Sequence, residues 1–283
     1  MSTRVIRNIK FNNKVRYAVN VERYESAAEV VQNCRKRERT DSRFHDMPKT
    51  SLDDFHGVAS YDEALQLMEN GYQPTVEKLR ESVKVNAMGT KKRIQFKNDI
   101  VGSAPVVPLA LKGVPNSMMN MTMKPIKRKV IDVYYDMTCS CSTESSDIIE
   151  AGQKILAAIL ELEAQGYRFN LYGVQTYTSD SDADMLVVKL KSSNQPLDLK
   201  RISFPLTHTA FFRVIGFDWY SKVPGGKYRP GYGQALNYRS SKEDRIGAMR
   251  QMFGDGAIYM NAVEAIRNSQ EHIKEVFTNA GKN

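Results

Sequence analysis

The sequence predicts an α/β fold: a three-layer sandwich with a mostly parallel sheet and one antiparallel edge strand, plus an α-rich or irregular N-terminal extension. Three observations support this fold class. Residues 130–135 form an apolar run typical of a central parallel strand, and residues 147–165 repeat apolar side chains at helical spacing. A polar turn at 179–184 joins two strand-like segments, which indicates a hairpin. The order of strand, helix, hairpin, helix, strand and helix matches such a sandwich.

The second half of the chain supplies these elements in order. The helix over 147–165 ends at Gly166, a normal stop signal. Beyond the hairpin, the pattern predicts further elements as far as the end of the chain. They are helical pieces at 197–202 and 209–215, a helix at 241–253, a short strand at 257–260 and a final helix at 263–278.

The first half has weaker signals. The first 20 residues alternate weakly, as an extended arm would, and residues 21–39 have a helical pattern. Ser60 begins a capping-box pattern for a helix that should stop at Gly71, and a second helix is expected at 75–85. We therefore divide the chain into a basic extension with short helices and a Pro/Met-rich segment, and a C-terminal α/β domain. The boundaries are 1–125 and 126–283.

The Pro/Met-rich segment has two interpretations. Four methionines fall within residues 118–123, after three prolines that interrupt short apolar pieces. A methionine-rich strand can present an adaptable surface to a partner, because the side chain is flexible and polarisable. The same residues can equally be core packing, and the sequence leaves both interpretations open.

Composition limits the classes of protein that need to be considered. The chain has 283 residues, of which 41% are hydrophobic and 26% charged, as in ordinary soluble proteins. No apolar run approaches the ~18 residues that a membrane span needs. The first residues lack the apolar core of a signal peptide, and the three cysteines do not form an obvious disulfide framework. We therefore expect no membrane partner and no secretion by a signal peptide.

The net charge of +9 is concentrated in basic clusters of the N-terminal half. Such clusters suit nucleic acid or an acidic partner surface, although solvated ends of helices and strands have the same composition. No zinc-ligand spacing or helix-turn-helix pattern sharpens the nucleic-acid hypothesis. The candidate interaction residues are Arg35, Lys36, Arg37, Arg39, Lys91, Lys92 and Arg93.

An acidic and hydroxyl-rich turn follows the predicted central strand. Asp136, Thr138 and Ser140 are spaced two residues apart where the strand should end and a helix begin. Ligands of open α/β sheets bind beyond the carboxyl ends of the strands. A carboxylate with two hydroxyls at that place is a candidate site for a hard cation.

This turn and the order of elements resemble the von Willebrand factor A domain, whose first strand ends in Asp-x-Ser-x-Ser and contacts a divalent cation. Residues 231–236 look like the family's Thr-Gly-x-Ala-Leu loop, and residues 254–261 resemble the later strand that normally ends in Asp. The resemblance covers roughly residues 126–283. The arrangement also resembles an uncharacterised phage-encoded family with a degenerate domain of this type.

The chain departs from the family pattern at two metal-contacting positions. Tyr232 stands where the family has a Thr, and Asn261 stands in place of the second Asp. A hard cation is weakly held by one carboxylate and two hydroxyls, unless Asp218 or Asp255 compensates. The resemblance therefore implies a degenerate site that requires no cofactor, with Mg²⁺ or Mn²⁺ at the turn as the alternative.

A reactive thiol is the other chemistry the turn suggests. Cys139 and Cys141 lie at a predicted helix N-terminus, where the helix dipole and backbone N–H groups stabilise a thiolate. The chain has four histidines, and none is close in sequence to serve as an evident base. A thiol- or metal-dependent enzyme is therefore kept as an alternative.

The resemblance implies a function without catalysis. Domains of the von Willebrand A type mostly mediate protein–protein contacts, so we expect an interaction or assembly protein. The resemblance to the phage-encoded family implies a phage structural protein. Its partners would be protein subunits in a self- or hetero-oligomer, located in the cytoplasm of the host cell or in the virion. The first alternative is a nucleic-acid-associated protein that uses the basic N-terminal region, and the second is the enzyme.

Overall fold

The structure is a computed structural model that describes most of the chain. The ranges are 2–11, 15–40, 53–84, 92–125, 130–178, 182–226 and 242–280. The predicted loop at 231–236, including Tyr232, lies outside the described residues, as does Lys91.

Strands and helices alternate irregularly along the described residues. The strands are β1 Ser2–Phe11, β2 Val15–Tyr24, β3 Lys92–Asp99, β4 Ala104–Pro105, β5 Met118–Pro125, β6 Val130–Asp136, β7 Arg168–Thr178, β8 Asp182–Lys191 and β9 Ile258–Asn261. The helices are α1 Ala27–Arg35, α2 Asp53–His56, α3 Tyr61–Asn70, α4 Gln73–Lys84, α5 Val107–Leu111, α6 Ser145–Ala164, α7 Leu199–Thr207, α8 Phe217–Ser221, α9 Lys242–Phe253, α10 Ala262–Arg267 and α11 Gln270–Ala280. A π-helical segment, Phe211–Gly216, leads directly into α8.

The large sheet is mixed and mostly parallel, so the chain has the predicted α/β character. Its strand order is β1-β2-β8-β7-β6-β9. Strand β6 pairs in parallel with β7 and with β9, and β2 pairs in parallel with β8. The predicted β7–β8 hairpin is antiparallel, as expected. It is not at the edge, however, because β2 pairs with the other side of β8 and β1 extends the sheet further.

Strand β2 occupies part of a segment for which the pattern predicted a helix. Val19 and Val21 are buried, and residues 18–24 pair with residues 182–188 of β8. The helix starts only at Ala27, after Ser26, whose side-chain oxygen accepts a hydrogen bond from the Glu29 N–H. Val19 and Val21 are two residues apart, so both point to the same side of the strand and pack in one apolar cluster. Their burial and the pairing of β2 with β8 outweigh the weak helical pattern of the sequence.

Alternate side chains of the sheet enter two different apolar clusters. Val133 and Tyr135 of β6 belong to a large cluster with α6, α7, α10 and α11. Tyr134 points to the other face and belongs to a smaller cluster with Met249 and Met252 of α9. Helices therefore cover both faces of the sheet. No described helix is long and apolar enough to cross a bilayer.

The predicted helices of the first half dock on the second half. Ala64 of α3 and Leu79 of α4 are in the large cluster, and the Thr75 hydroxyl lies 3.1 Å from that of Thr207 in α7. Helix α3 ends at Gly71, whose φ of 78° explains the glycine there. The boundary at residue 125 stays a prediction, although residues on both sides of it share one sheet and one core.

Residues 92–125 form a separate small sheet. Its strand order is β3-β5-β4, and β3 pairs antiparallel with β5 over its whole length. No side chain from 92–125 belongs to either apolar cluster of the described residues. This small sheet therefore contributes little to the main cores.

Close contact between α6 and α7 makes Gly152 sensitive to substitution. A Cβ at Gly152 would lie 2.4 Å from the carbonyl oxygen of Leu206. We expect Gly152→Ala to reduce the free energy of unfolding by ~1–3 kcal/mol through overpacking. Urea denaturation measures this value.

Gly247 in α9 is the matched control. A Cβ there would meet no described atom within 4 Å, so Gly247→Ala should stabilise the protein by ~0.5–1 kcal/mol through helix propensity. Equal effects of the two substitutions would contradict the packing of α6 on α7.

Candidate functional site

The carboxylate of Asp136 lies at the carboxyl end of β6 and is completely buried. Its Oδ1 accepts a hydrogen bond of 2.9 Å from the Thr138 N–H. Its Oδ2 accepts hydrogen bonds from the hydroxyls of Thr176, at 3.2 Å, and of Tyr259. Burial raises the pKa of Asp136 above its ordinary value, and the hydroxyl and amide donors only partly oppose this effect.

The three residues of the predicted cation site have different environments. Thr138 is buried, and its hydroxyl oxygen accepts a 2.9 Å hydrogen bond from the Thr176 N–H. Ser140 is exposed, and its hydroxyl lies 3.0 Å from that of Ser142. The structure therefore links Asp136 and Thr138 through Thr176, while Ser140 bonds within the exposed part of the turn.

Asn261, which replaces the family's second Asp, is a helix cap. It lies opposite Asp136 in the β6–β9 register. Its Oδ1 accepts a 2.8 Å hydrogen bond from the Glu264 N–H, and the Glu264 carboxylate accepts one from the Asn261 N–H. This capping box explains an Asn at the position, because Asn is a favoured N-cap residue.

A buried arginine holds the turn from behind. Arg213 donates hydrogen bonds to the carbonyl oxygens of Ser140, at 3.3 Å, and Thr143, at 2.8 Å. It also donates one of 2.7 Å to the carbonyl oxygen of Phe55, and its guanidinium lies 4.2 Å from the centre of the Phe55 ring. A fixed positive charge therefore lies beside the turn.

The carboxylate of the turn has little capacity left for a divalent cation. Such an ion needs free carboxylate lone pairs, whereas the two oxygens of Asp136 already accept three hydrogen bonds from the protein. Asp218, a candidate to compensate, pairs with Lys222 at 2.7 Å, and Asp255 is exposed. Across the described residues there is no group of three or more His, Cys, Asp or Glu arranged to hold a metal.

The thiols beside the turn differ in exposure. Cys139 is buried, and burial raises its pKa to about 11. At neutral pH such a group is almost entirely the protonated thiol, which is a poor nucleophile. Cys141 is exposed. His208 is buried, which lowers its pKa to about 4, and its Nδ1 accepts a hydrogen bond from the Ala210 N–H.

The basic cluster near residue 37 is divided between surface and core. Arg35, Lys36 and Arg39 are exposed. Arg37 instead donates a 2.9 Å hydrogen bond to the fully buried carboxylate of Glu22, which also accepts one from the Trp219 indole N–H at 2.9 Å. Arg37 thus compensates a buried charge. Lys92 and Arg93 lie at the start of β3.

Sequence reasoning missed three residues of this region, Thr176, Arg213 and Tyr259, and the capping role of Asn261. The spacing of Asn261 and Glu264 is a visible capping-box signal. Thr176 and Tyr259 carry no local signal, because they reach Asp136 only through the pairing of β6 with β7 and β9. Arg213 lies in the π-helical segment, and its partners are also distant in sequence.

The small sheet exposes one apolar face. Opposite residues of an antiparallel pair point to the same side, so Phe96 of β3 shares a face with its partner Met121 of β5. Ile94 lies two residues before Phe96 and points to the same side. Ile94, Phe96 and Met121 have relative exposures of 48%, 59% and 50%. Five more large apolar residues of this segment are also exposed: Ile100, Val101, Val107, Leu111 and Val114.

The raised pKa of Asp136 predicts the pH dependence of stability. Its ordinary value is 3.8, and the folded value is higher. The contribution of this group is therefore fully present below the unfolded pKa and is lost as pH rises through the folded pKa. We expect the free energy of unfolding of Asp136→Asn, relative to wild type, to rise with pH across this window. Urea titrations at several pH values measure it, and a difference that falls with pH would contradict the raised pKa.

The same pair of proteins tests the cation site. Calorimetric titration with Mg²⁺ or Mn²⁺ should give the same result for wild type and for Asp136→Asn. Cation binding by the wild type that Asp136→Asn abolishes would support a cation site at this turn.

Comparison with family models places residues 7–283 in a single match, to a family described as a domain of unknown function, DUF7192. Searches of curated proteins and of solved structures returned no match. The resemblance to the von Willebrand factor A domain and to a phage-encoded family stays a prediction. Because the match spans almost the whole chain, the protein belongs to the DUF7192 family.

Proposed function

We propose that the chain is a non-enzymatic protein–protein interaction or assembly protein, built as a three-layer sandwich with a degenerate turn of the von Willebrand A type. The observation that carries the proposal is the exposed apolar face of the small sheet, defined by Ile94, Phe96 and Met121. A phage origin, with action in the host cytoplasm or the virion, rests on the family resemblance alone.

The energetics of this face favour a partner. A small antiparallel sheet is stable when one face packs on something, and this face lies outside both apolar clusters. Burying each large apolar side chain completely contributes ~1.5–3 kcal/mol. These side chains are already about half covered, so a partner would gain part of that amount from each. Met121 is exposed, which supports the adaptable-surface interpretation of the methionine-rich strand.

The turn at Asp136 supports a role without chemistry. Its carboxylate is used by protein donors, and Cys139 has a raised pKa and little exposure. A thiol- or metal-dependent enzyme would need a free ligand or a reactive group at this place. The enzyme alternative therefore has little support from the described residues.

Association with nucleic acid stays the second candidate, because Arg35, Lys36 and Arg39 are exposed near one another in sequence. Each phosphate contact contributes about −0.9 to the slope of log affinity against log salt for duplex DNA. Charge reversal of all three residues to Glu should therefore reduce the magnitude of the slope by up to ~2.7. Filter binding at several salt concentrations measures it. The reversal of Lys200 and Arg201 to Glu on α7 is the control, and an unchanged slope in the first variant would remove this candidate.

A pair of substitutions on the apolar face tests the main proposal. We expect the wild-type chain to form a defined assembly, alone or with a co-purifying protein, that persists from about 0.15 to 1 M salt, since apolar burial is not screened by ions. Ile94→Glu with Met121→Glu should dissociate it, because two carboxylates would be desolvated in the contact. Light scattering after size exclusion gives the mass.

The opposite face supplies a matched control with the same change in charge. Gln95 and Thr122 are opposite each other on the polar face, so Gln95→Glu with Thr122→Glu should leave the assembly intact. A wild-type chain that is strictly monomeric and retains no partner, or equal effects of the two pairs, would count against the proposal.

A further inference from the structure

Strand β3 is at the edge of the small sheet in the part of the chain that the structure describes. Strand β3 pairs with β5 from Lys92 to Asp99 without a bulge. In the sheet order β3-β5-β4, the other side of β3 has no neighbouring strand among the described residues. Such an edge exposes unpaired backbone N–H and C=O groups and readily accepts another strand.

A second copy of the chain is an occupant whose fit can be worked out residue by residue. Antiparallel addition of β3 to its own copy creates a two-fold axis perpendicular to the sheet. Directly opposite residues point to the same side of the sheet. The apolar residues of both copies therefore lie on one side only in a register in which one residue of β3 pairs with the same residue of the second copy. Two such registers keep most of the strand paired: the first centres on Gln95 and pairs residues 92–98, and the second centres on Phe96 and pairs residues 93–99.

Charge decides between the two registers. With Gln95 at the centre, Arg93 stands opposite Lys97 of the second copy, and symmetry repeats this like-charge pair. With Phe96 at the centre, Arg93 stands opposite Asp99, and symmetry repeats this unlike-charge pair. Cross-strand pairs of opposite charge contribute roughly 0.2–1 kcal/mol each, whereas like charges directly opposite are destabilising.

The uncharged residues do not decide between the registers. The Gln95-centred register places Ile94 opposite Phe96, whereas the Phe96-centred register places Ile94 opposite Asn98. In the Phe96-centred register, Phe96 meets its own copy, an aromatic cross-strand pair of the kind that stabilises sheets.

In the same register, Gln95 stands opposite Lys97. The two Lys97 residues lie on a diagonal, at about 7–8 Å. Each Lys97 Nζ is 3.7 Å from the Asp99 carboxylate of its own strand, and its side chain is 73% exposed, so the charge is both paired and solvated.

We infer that a second copy of this chain pairs with β3 in antiparallel orientation, with Phe96 opposite Phe96. The two small sheets then form one continuous sheet with a doubled apolar face. The inference rests in part on the proposed function, since it names a partner for the same sheet. It uses the edge of the sheet, however, whereas the proposed function uses the face.

Site-specific disulfide formation tests both the partner and the register. In a Cys141→Ser background, which removes the exposed thiol, Phe96→Cys should give a covalent dimer on mild oxidation. Directly opposite Cβ atoms are about 4.5–5.5 Å apart, close to the range of a disulfide, and diagonal ones are too far. Gln95→Cys and Lys97→Cys in the same background are the matched controls and should stay monomeric on a non-reducing gel.

A charge swap gives a second, independent readout. Arg93→Asp or Asp99→Arg alone places like charges opposite each other twice in the dimer, and should weaken it roughly tenfold, which corresponds to about 1.4 kcal/mol. The double variant restores both unlike pairs and should recover wild-type affinity. Sedimentation equilibrium measures the dissociation constant of each protein.

The outcomes separate this inference from the proposed function. Failure of Phe96→Cys to cross-link, or cross-linking of Gln95→Cys instead, overturns the inference. A double charge-swap variant that dimerises as weakly as the single variants overturns it as well. If Phe96→Cys fails while assembly still depends on Ile94 and Met121, the proposed function stands and only the second-copy pairing falls. Cross-linking at Phe96→Cys, with an assembly that the face variants leave unchanged, supports the inference and removes the apolar face as the contact surface of the proposed function.

Discussion

The hydrogen bonds to the buried carboxylate of Asp136 are the interactions on which the centre of the sheet depends. A charge without water must be balanced by donors, and here the donors come from the adjoining turn, from Thr176 on β7 and from Tyr259 on β9. The ends of three neighbouring strands are thereby fixed to one another. The same hydrogen bonds use lone pairs of the oxygens that a cation would need, so the protein donors and a cation would compete for this group.

Two other buried charged groups, Glu22 and Arg213, are also balanced by hydrogen-bond partners from distant parts of the chain. Glu22 of β2 is balanced by Arg37 and Trp219, which join the first strands to α8. Arg213 is balanced by the carbonyl oxygens of three residues, which join α2 to the turn after β6. Removing one partner of such a group leaves a buried charge unpaired, at a cost of several kcal/mol. The buried polar groups therefore stabilise the fold. The exposed apolar face lies outside the main cores, on the small sheet.

Elements with strong local patterns were predictable, and long-range contacts were not. The strand before Asp136, helix α6 and the β7–β8 hairpin follow from apolar periodicity and from a polar turn. Ser60 and Gly71 mark the ends of α3 because capping is a local interaction. The pairing of β2 with β8 could not be predicted, because the register depends on residues far away in the chain. For the same reason Asp136 and Thr138 were found as polar residues at a strand end, while Tyr259 and Arg213, which decide their chemistry, were not.

The parallel pairing of β2 with β8 has a consequence for biosynthesis. Asn20 and Asp184, which share a side-chain hydrogen bond, are separated by 164 positions. At about 5–20 residues per second, a ribosome needs roughly 8–30 s to make the intervening chain. Throughout that interval β2 can pair with β1, but its other edge lacks the partner strand β8, and contacts between distant segments also slow folding. The nascent chain is therefore exposed to aggregation, and its demand for chaperones should be greatest before β8 leaves the exit tunnel.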